Sequence, residues 1–106
     1  MTVEMVRADT AVAQFMVRVV LDAPIVECEI KGRVVGPRCK GITTVEIALP
    51  LVPVKSSETT VDFKGVIPEP NLWTPEAHFV YELTVEVWVG GRQIDTRTNV
   101  LTLRGR

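Results

Sequence analysis

The 106-residue sequence predicts an all-β fold, an immunoglobulin-like antiparallel β-sandwich of about seven strands forming a single domain over residues 1–106. Three observations predict it. Apolar and polar residues alternate with a period of two along much of the chain, the mark of strands that bury one face. No segment carries the 3.6-residue period of an amphipathic helix. Proline and glycine punctuate the alternation at the short intervals of a sandwich.

A short first strand is expected around Val3 to Arg7. From Ala13 to Leu21 the odd positions Ala13, Phe15, Val17, Val19 and Leu21 are all apolar, which predicts a core strand. Asp22-Ala23-Pro24 reads as a turn, because proline removes a ladder donor and favours a break. From Ile25 to Val35, Val26, Cys28, Ile30 and Val34 point one way while Glu27, Glu29, Lys31 and Arg33 point the other. Gly36-Pro37 is expected to end that strand. A third segment alternates Thr43, Val45, Ile47 and Leu49 with Thr44, Glu46 and Ala48, and Pro50 and Pro53 then forbid a central strand.

Val61, Phe63, Gly65 and Ile67 mark a shorter strand before the rigid stretch Pro68-Glu69-Pro70. The longest signal follows, with Phe79, Tyr81, Leu83, Val85, Val87 and Val89 on one face and His78, Glu82, Thr84, Glu86 and Trp88 on the other. Gly90-Gly91 supplies the positive φ angles of a tight hairpin turn, so residues 92–103 form the return strand. Its inward set begins with Ile94, Thr96 and Thr98, whereas Leu101 and Leu103 have the opposite parity. A bulge near Asn99-Val100 is therefore expected.

Composition narrows the function. With 46% hydrophobic residues the chain can build a core, and its net charge of -1 gives no bias toward nucleic acid or an anionic membrane surface. The N-terminus lacks the basic start and apolar centre of a secretory signal, and no apolar run reaches the roughly 18 residues of a membrane helix. Cys28 and Cys39 are too few and too irregularly placed for a disulfide framework or a zinc site. They read as two free thiols, with Cys28 buried on the apolar phase beside Val26 and Ile30.

No catalytic, cofactor or metal site emerges. The sole histidine, His78, has no motif around it and reads as a surface or loop-packing residue beside a proline-rich stretch. Glu27, Glu29, Glu82 and Glu86 fall on the polar face of strands, where solvated charge is the ordinary pattern, rather than forming an acid/base couple. Gly90-Gly91-Arg92 leads into a strand and not a helix N-terminus, so it is a turn and not a phosphate cradle. Among the aromatic residues, Phe79 and Tyr81 belong to the apolar phase and hence to the core. Trp88 lies on the polar phase, as an interface anchor or a ring lying flat against neighbouring stems, with a ligand site as the alternative.

The segment Leu72-Trp73-Thr74-Pro75-Glu76, followed by Val80-Tyr81-Glu82-Leu83-Thr84-Val85, Gly90-Gly91 and Ile94-Asp95, resembles the immunoglobulin-like sandwich domain of glycoside hydrolase family 2. That family comprises β-galactosidases, β-mannosidases and β-glucuronidases. The match is specific from Pro70 to Arg104 and architectural before it. Thr102-Leu103-Arg104 stands where the family ends on Gly-x-Arg, and His78-Phe79-Val80 replaces a proline-containing approach to the tyrosine.

The resemblance implies a non-catalytic structural module of a glycosidase. The family's catalytic carboxylates come from a (β/α)₈ barrel that follows the sandwich, so this chain is expected to be an excised domain ending where the barrel would begin. The expected partners are neighbouring domains of the parent enzyme and homo-oligomer contacts, without nucleic acid or membrane. A carbohydrate-binding module acting by aromatic stacking and an immunoglobulin-like protein-interaction domain are the alternatives. Trp73, fixed by Pro70 and Pro75, reads as an anchor for its loop, with a sugar platform as the competing role.

Overall fold

A computed structural model describes residues 1–21 and 28–104, and the described residues contain no helix. They form eight strands: β1 (Thr2–Ala8), β2 (Val12–Val20), β3 (Cys28–Arg38), β4 (Ile47–Pro50), β5 (Val52–Ser56), β6 (Thr60–Pro68), β7 (Val80–Val89) and β8 (Arg92–Leu101). Two four-stranded antiparallel sheets result, with orders β1-β2-β6-β5 and β4-β3-β7-β8. This is the immunoglobulin arrangement with one strand added beside β3. The predicted turn at Asp22-Ala23-Pro24 and the residues Ile25, Val26 and Glu27 lie outside the described residues.

The core forms where the alternation is cleanest. In β2 the odd positions Ala13, Phe15, Val17 and Val19 are buried, and in β6 so are Val61, Phe63 and Ile67. They face Tyr81, Leu83, Val85 and Val87 of β7 across the sandwich. Gly65 pairs with Phe15 in the β2–β6 ladder. A Cβ on Gly65 would lie 2.2 Å from Phe15 Cζ, so the glycine provides the space that the ring fills.

Near the start of β7, Tyr81 makes a tyrosine corner, its Oη accepting a hydrogen bond from the Asn71 N–H at 2.9 Å. The ring lies against Gly36, where a Cβ would come within 2.6 Å of Tyr81 Cδ1. Two glycines thus let two large rings approach backbone on opposite sheets.

The eighth strand arises from a sheet switch. The chain leaves β4 at Pro50 and enters β5 at Val52, so Leu51 crosses from one sheet to the other. Leu51 is buried, its N–H donates to the Gly32 C=O at 2.8 Å, and its side chain occupies the space above Gly32. Pro50 and Pro53 both sit on edge strands, where a missing ladder donor can face solvent.

Three expectations are corrected. Gly36-Pro37 does not end β3: the ladder to β7 shifts between Val35 and Arg38 while Gly36 still pairs with Ile47 of β4, so the proline is absorbed in a bulge. Residues 43–46 are not strand, and Val45 is 88% exposed. That stretch folds back on the end of β3, with Thr44 Oγ1 donating to the Pro37 C=O at 2.6 Å and Glu46 paired with Arg38.

The third correction concerns β8. The bulge falls at Ile94, because Trp88 pairs with Gln93 and Val87 with Asp95, rather than near Asn99-Val100. From there the residues sharing the inward face with Val87, Val85, Leu83 and Tyr81 are Asp95, Arg97, Asn99 and Leu101. Only Leu101 of these is buried. The Gly90-Gly91 hairpin stands as expected, with φ values of 57° and 77°.

Candidate functional site

His78 is exposed and its ring stacks on Trp73, with centroids 4.7 Å apart and planes 14° from parallel. It is a packing partner of the loop, with no base–nucleophile geometry about it. The carboxylates lie on the outer face of the β4-β3-β7-β8 sheet and meet cations instead of one another. Glu86 accepts from Arg33 at 2.9 Å, Glu82 from Arg38 at 2.8 Å, and Glu29 lies 3.8 Å from Lys31. Arg38 also pairs with Glu46, and the hydrogen bond to Glu46 raises its already high pKa further. Glu27 lies outside the described residues. Among the described residues no group of three or more His, Cys, Asp or Glu side chains is placed to hold a metal ion.

Charge and geometry on this outer face make a cross-strand network. Lys31 Nζ stands 5.0 Å above the Trp88 ring, and Thr84 is buried beside Thr98, their hydroxyls 3.4 Å apart. Trp88 is half-buried, with its Nε1 covered and without a hydrogen-bond partner among the described residues.

The loop between β6 and β7 closes one end of the sandwich. Leu72 packs against the core, and the Trp73 N–H donates to the Leu103 C=O at 2.7 Å. The Arg104 guanidinium stands 4.3 Å from the Trp73 ring, which also carries His78. Trp73 is half-buried and occupied by protein groups, as an anchor would be. The partners are His78, Arg104 and Leu103. Leu101 and Leu103, apolar at alternate positions before Arg104, were the available signal for this contact.

The two flanks of the sandwich differ. On the β4/β5 side the chain itself crosses between sheets at Leu51. On the β1/β8 side, among the described residues, β1 bonds only to β2 and β8 only to β7. A groove of about 660 Å³ opens there, lined by residues 5–9 and 102–104. Met5 and Val6 on β1, and Ile94 and Val100 on β8, are exposed apolar side chains on these strands. At the rim, Asp9 accepts from Arg7 Nε at 2.6 Å and from the Ala11 and Val12 N–H groups at 2.8 and 2.9 Å, which holds its carboxyl below the ordinary range. Farther along the same sheet, Asp62 is likewise lowered by its paired hydrogen bonds from Arg18.

Both cysteines are free thiols, and Cys28 is half-buried rather than buried. It lies opposite Val89 at the hairpin end of the β3–β7 ladder.

A family model, glycosyl hydrolases family 2, matches residues 2–104. Two solved structures share the fold: Bacteroides uniformis beta-glucuronidase 2, covalently bound to cyclophellitol-6-carboxylate aziridine, and Bacteroides uniformis beta-glucuronidase. Each superposes with a TM-score of 0.53 at 16% identity over 95% of this chain. The aligned part is 12% of either enzyme chain, so this sandwich corresponds to a small portion of each. No curated protein matches the sequence.

Proposed function

Because the chain belongs to glycosyl hydrolase family 2, we propose that it is a non-catalytic sandwich module of a β-glycosidase, supporting carbohydrate metabolism by packing against neighbouring domains and subunits. The catalytic barrel of such an enzyme is not present in these 106 residues, whose described part is wholly strand and loop.

The observation that carries the reading is the exposed apolar surface along both sheet edges: Met5, Val6, Ile94 and Val100 on β1 and β8, beside the groove between residues 5–9 and 102–104, and Ile47, Val52 and Val54 on β4 and β5. Apolar side chains set along sheet edges suit contact with protein better than with water. The aromatic residues serve the fold: Trp73 holds the end loop, Trp88 lies under Lys31, and Tyr81 ties its corner.

Purified chain, shown to be folded by circular dichroism, is assayed against aryl β-glucuronides, β-galactosides and β-mannosides. The rate stays at the buffer background. Sustained turnover that disappears in Glu86→Gln or Glu82→Gln overturns the proposal.

A further inference from the structure

We propose that β8 is a self-complementary edge, through which two copies of this chain join antiparallel about a two-fold axis at Thr96, with Asp95 of each opposite Arg97 of the other. The inference deepens the docking reading above by naming one partner, a second copy.

The four sheet edges are not equally guarded. β4 has four residues and ends on Pro50, β5 has five and contains Pro53, and β1 carries a register shift between Met5 and Arg7. Short length, proline, bulges and inward-pointing charges are the ordinary devices that keep an edge from pairing, and the inward charges of β8, Asp95 and Arg97, are of opposite sign and so can pair across two copies. β8 is ten residues long and has neither proline nor lysine. Its one bulge lies at Ile94, near the hairpin, and leaves Asp95 to Leu101 in regular register with β7. Over Arg92 to Val100 both faces of the strand are exposed.

The pleat restricts how two β8 strands can meet, because pairing must match inward residues with inward residues. An axis at Asp95 sets that carboxylate against its own copy, and an axis at Arg97 does the same with two guanidinium groups. Like charges directly opposite are destabilising. An axis at Thr98 spends Asp95 on Leu101, which is buried against its own core. The axis at Thr96 alone gives two opposite-charge pairs. It also brings the exposed Ile94 toward the second copy's Thr98 and Val100, and Ile94 and Val100 are 59% and 68% exposed in the single chain.

The single chain already shows the groups such pairing would use. Asp95 Oδ1 accepts from the Thr96 N–H at 2.8 Å, and Asp95 Oδ2 lies 3.6 Å from Arg97 Nε. The carboxylate thus stands in for an acceptor across the edge. When a second strand arrives, its carbonyl takes an edge N–H, and Asp95 turns to the second copy's Arg97. Both side chains are free to do so, at 52% and 73% exposed.

Sedimentation equilibrium of the full chain at low salt tests the pairing. A monomer–dimer equilibrium is expected, weakened at least tenfold by Asp95→Arg alone or Arg97→Asp alone and restored by the double swap. It also weakens toward 1 M salt, where screening shortens to about 3 Å. Register is read separately by Thr96→Cys, which should cross-link to its own copy under mild oxidation, since directly opposed Cα atoms stand about 4.5–5.5 Å apart. Thr98→Cys should not, because the two 98 positions are then offset by about 13 Å along the strands. A chain monomeric at every concentration, a dimer indifferent to the charge swaps, or equal cross-linking at 96 and 98 overturns the pairing. None of these outcomes bears on turnover, which tests the non-catalytic reading on its own.

Discussion

Replacing Trp73 by alanine separates a structural anchor from a ligand platform. The substitution leaves the backbone hydrogen bond from residue 73 to the Leu103 C=O in place and removes only the indole. Lost with it are the stack on His78 and the Arg104 contact. An aromatic pair contributes about 0.5–1.5 kcal/mol beyond burial, and an exposed cation–π contact about 0.5–1 kcal/mol. A fully buried aromatic costs about 3–5 kcal/mol to truncate; Trp73 is half-buried on a loop that can partly collapse, which places the loss at about 2–4 kcal/mol. With a urea m-value of about 2 kcal/mol per molar, the midpoint falls by roughly 1–2 M. His78→Ala should cost less in the wild-type background than Trp73→Ala does, and little more once Trp73 is gone, because the two rings share one contact. A Trp73→Ala protein within about 0.5 kcal/mol of wild type, the range of ordinary surface changes, would refute the anchor.

Gly65→Ala should be among the most disruptive single-methyl changes, because its Cβ would stand 2.2 Å from the buried Phe15 ring. Overpacking of this kind costs about 1–3 kcal/mol, and Phe15→Leu in the same chain should recover part of it, as thermal melts of the single and double variants would reveal. Asp62 and Asp9 both have pKa values lowered from 3.8 by hydrogen-bonded partners, Arg18 first for Asp62 and Arg7 first for Asp9. A depressed folded-state pKa contributes stability that is present above about 3.8 and lost as pH falls through the lower folded value. Asp62→Asn should therefore melt below wild type at pH 5–7, with the gap closing toward pH 2; a gap that persists unchanged would assign the effect to something other than ionisation.

How much of this was legible in the sequence depends on what each strand faces. β2, β6 and β7 each have one face against the opposite sheet, so burial imposed the alternation that predicts Phe15, Phe63 and Leu83 as core. β8 is exposed on both faces from Arg92 to Val100. Its inward positions carry Asp95, Arg97 and Asn99, and hydrophobicity there gives the phase wrongly, with Ile94, Thr96 and Thr98 seeming to point inward. The sheet switch was hidden for a related reason: Pro50 and Pro53 rule out a central strand but are compatible with two short edge strands, and only the tertiary position of Leu51 distinguishes these. For the end loop, the anchoring role of Trp73 followed from the prolines around it. Its partners His78 and Arg104 did not, since a stacked imidazole and a guanidinium leave no periodic trace. The family was readable from Leu72 to Asp95, where the tyrosine corner and the glycine hairpin fix local backbone geometry through specific residue types.

The proposal at stake is that this sandwich contributes packing surface to a glycosidase rather than a sugar site. Titration of the folded chain with glucuronide, galactoside and mannoside oligosaccharides, followed by the fluorescence of Trp73 and Trp88, tests it most directly. With Trp73 carrying His78 and Arg104, and Trp88 lying under Lys31, the account predicts no saturable change up to millimolar sugar. A saturable signal for any of these glycans, abolished by Trp73→Ala or Trp88→Ala in a chain that remains folded, would contradict it.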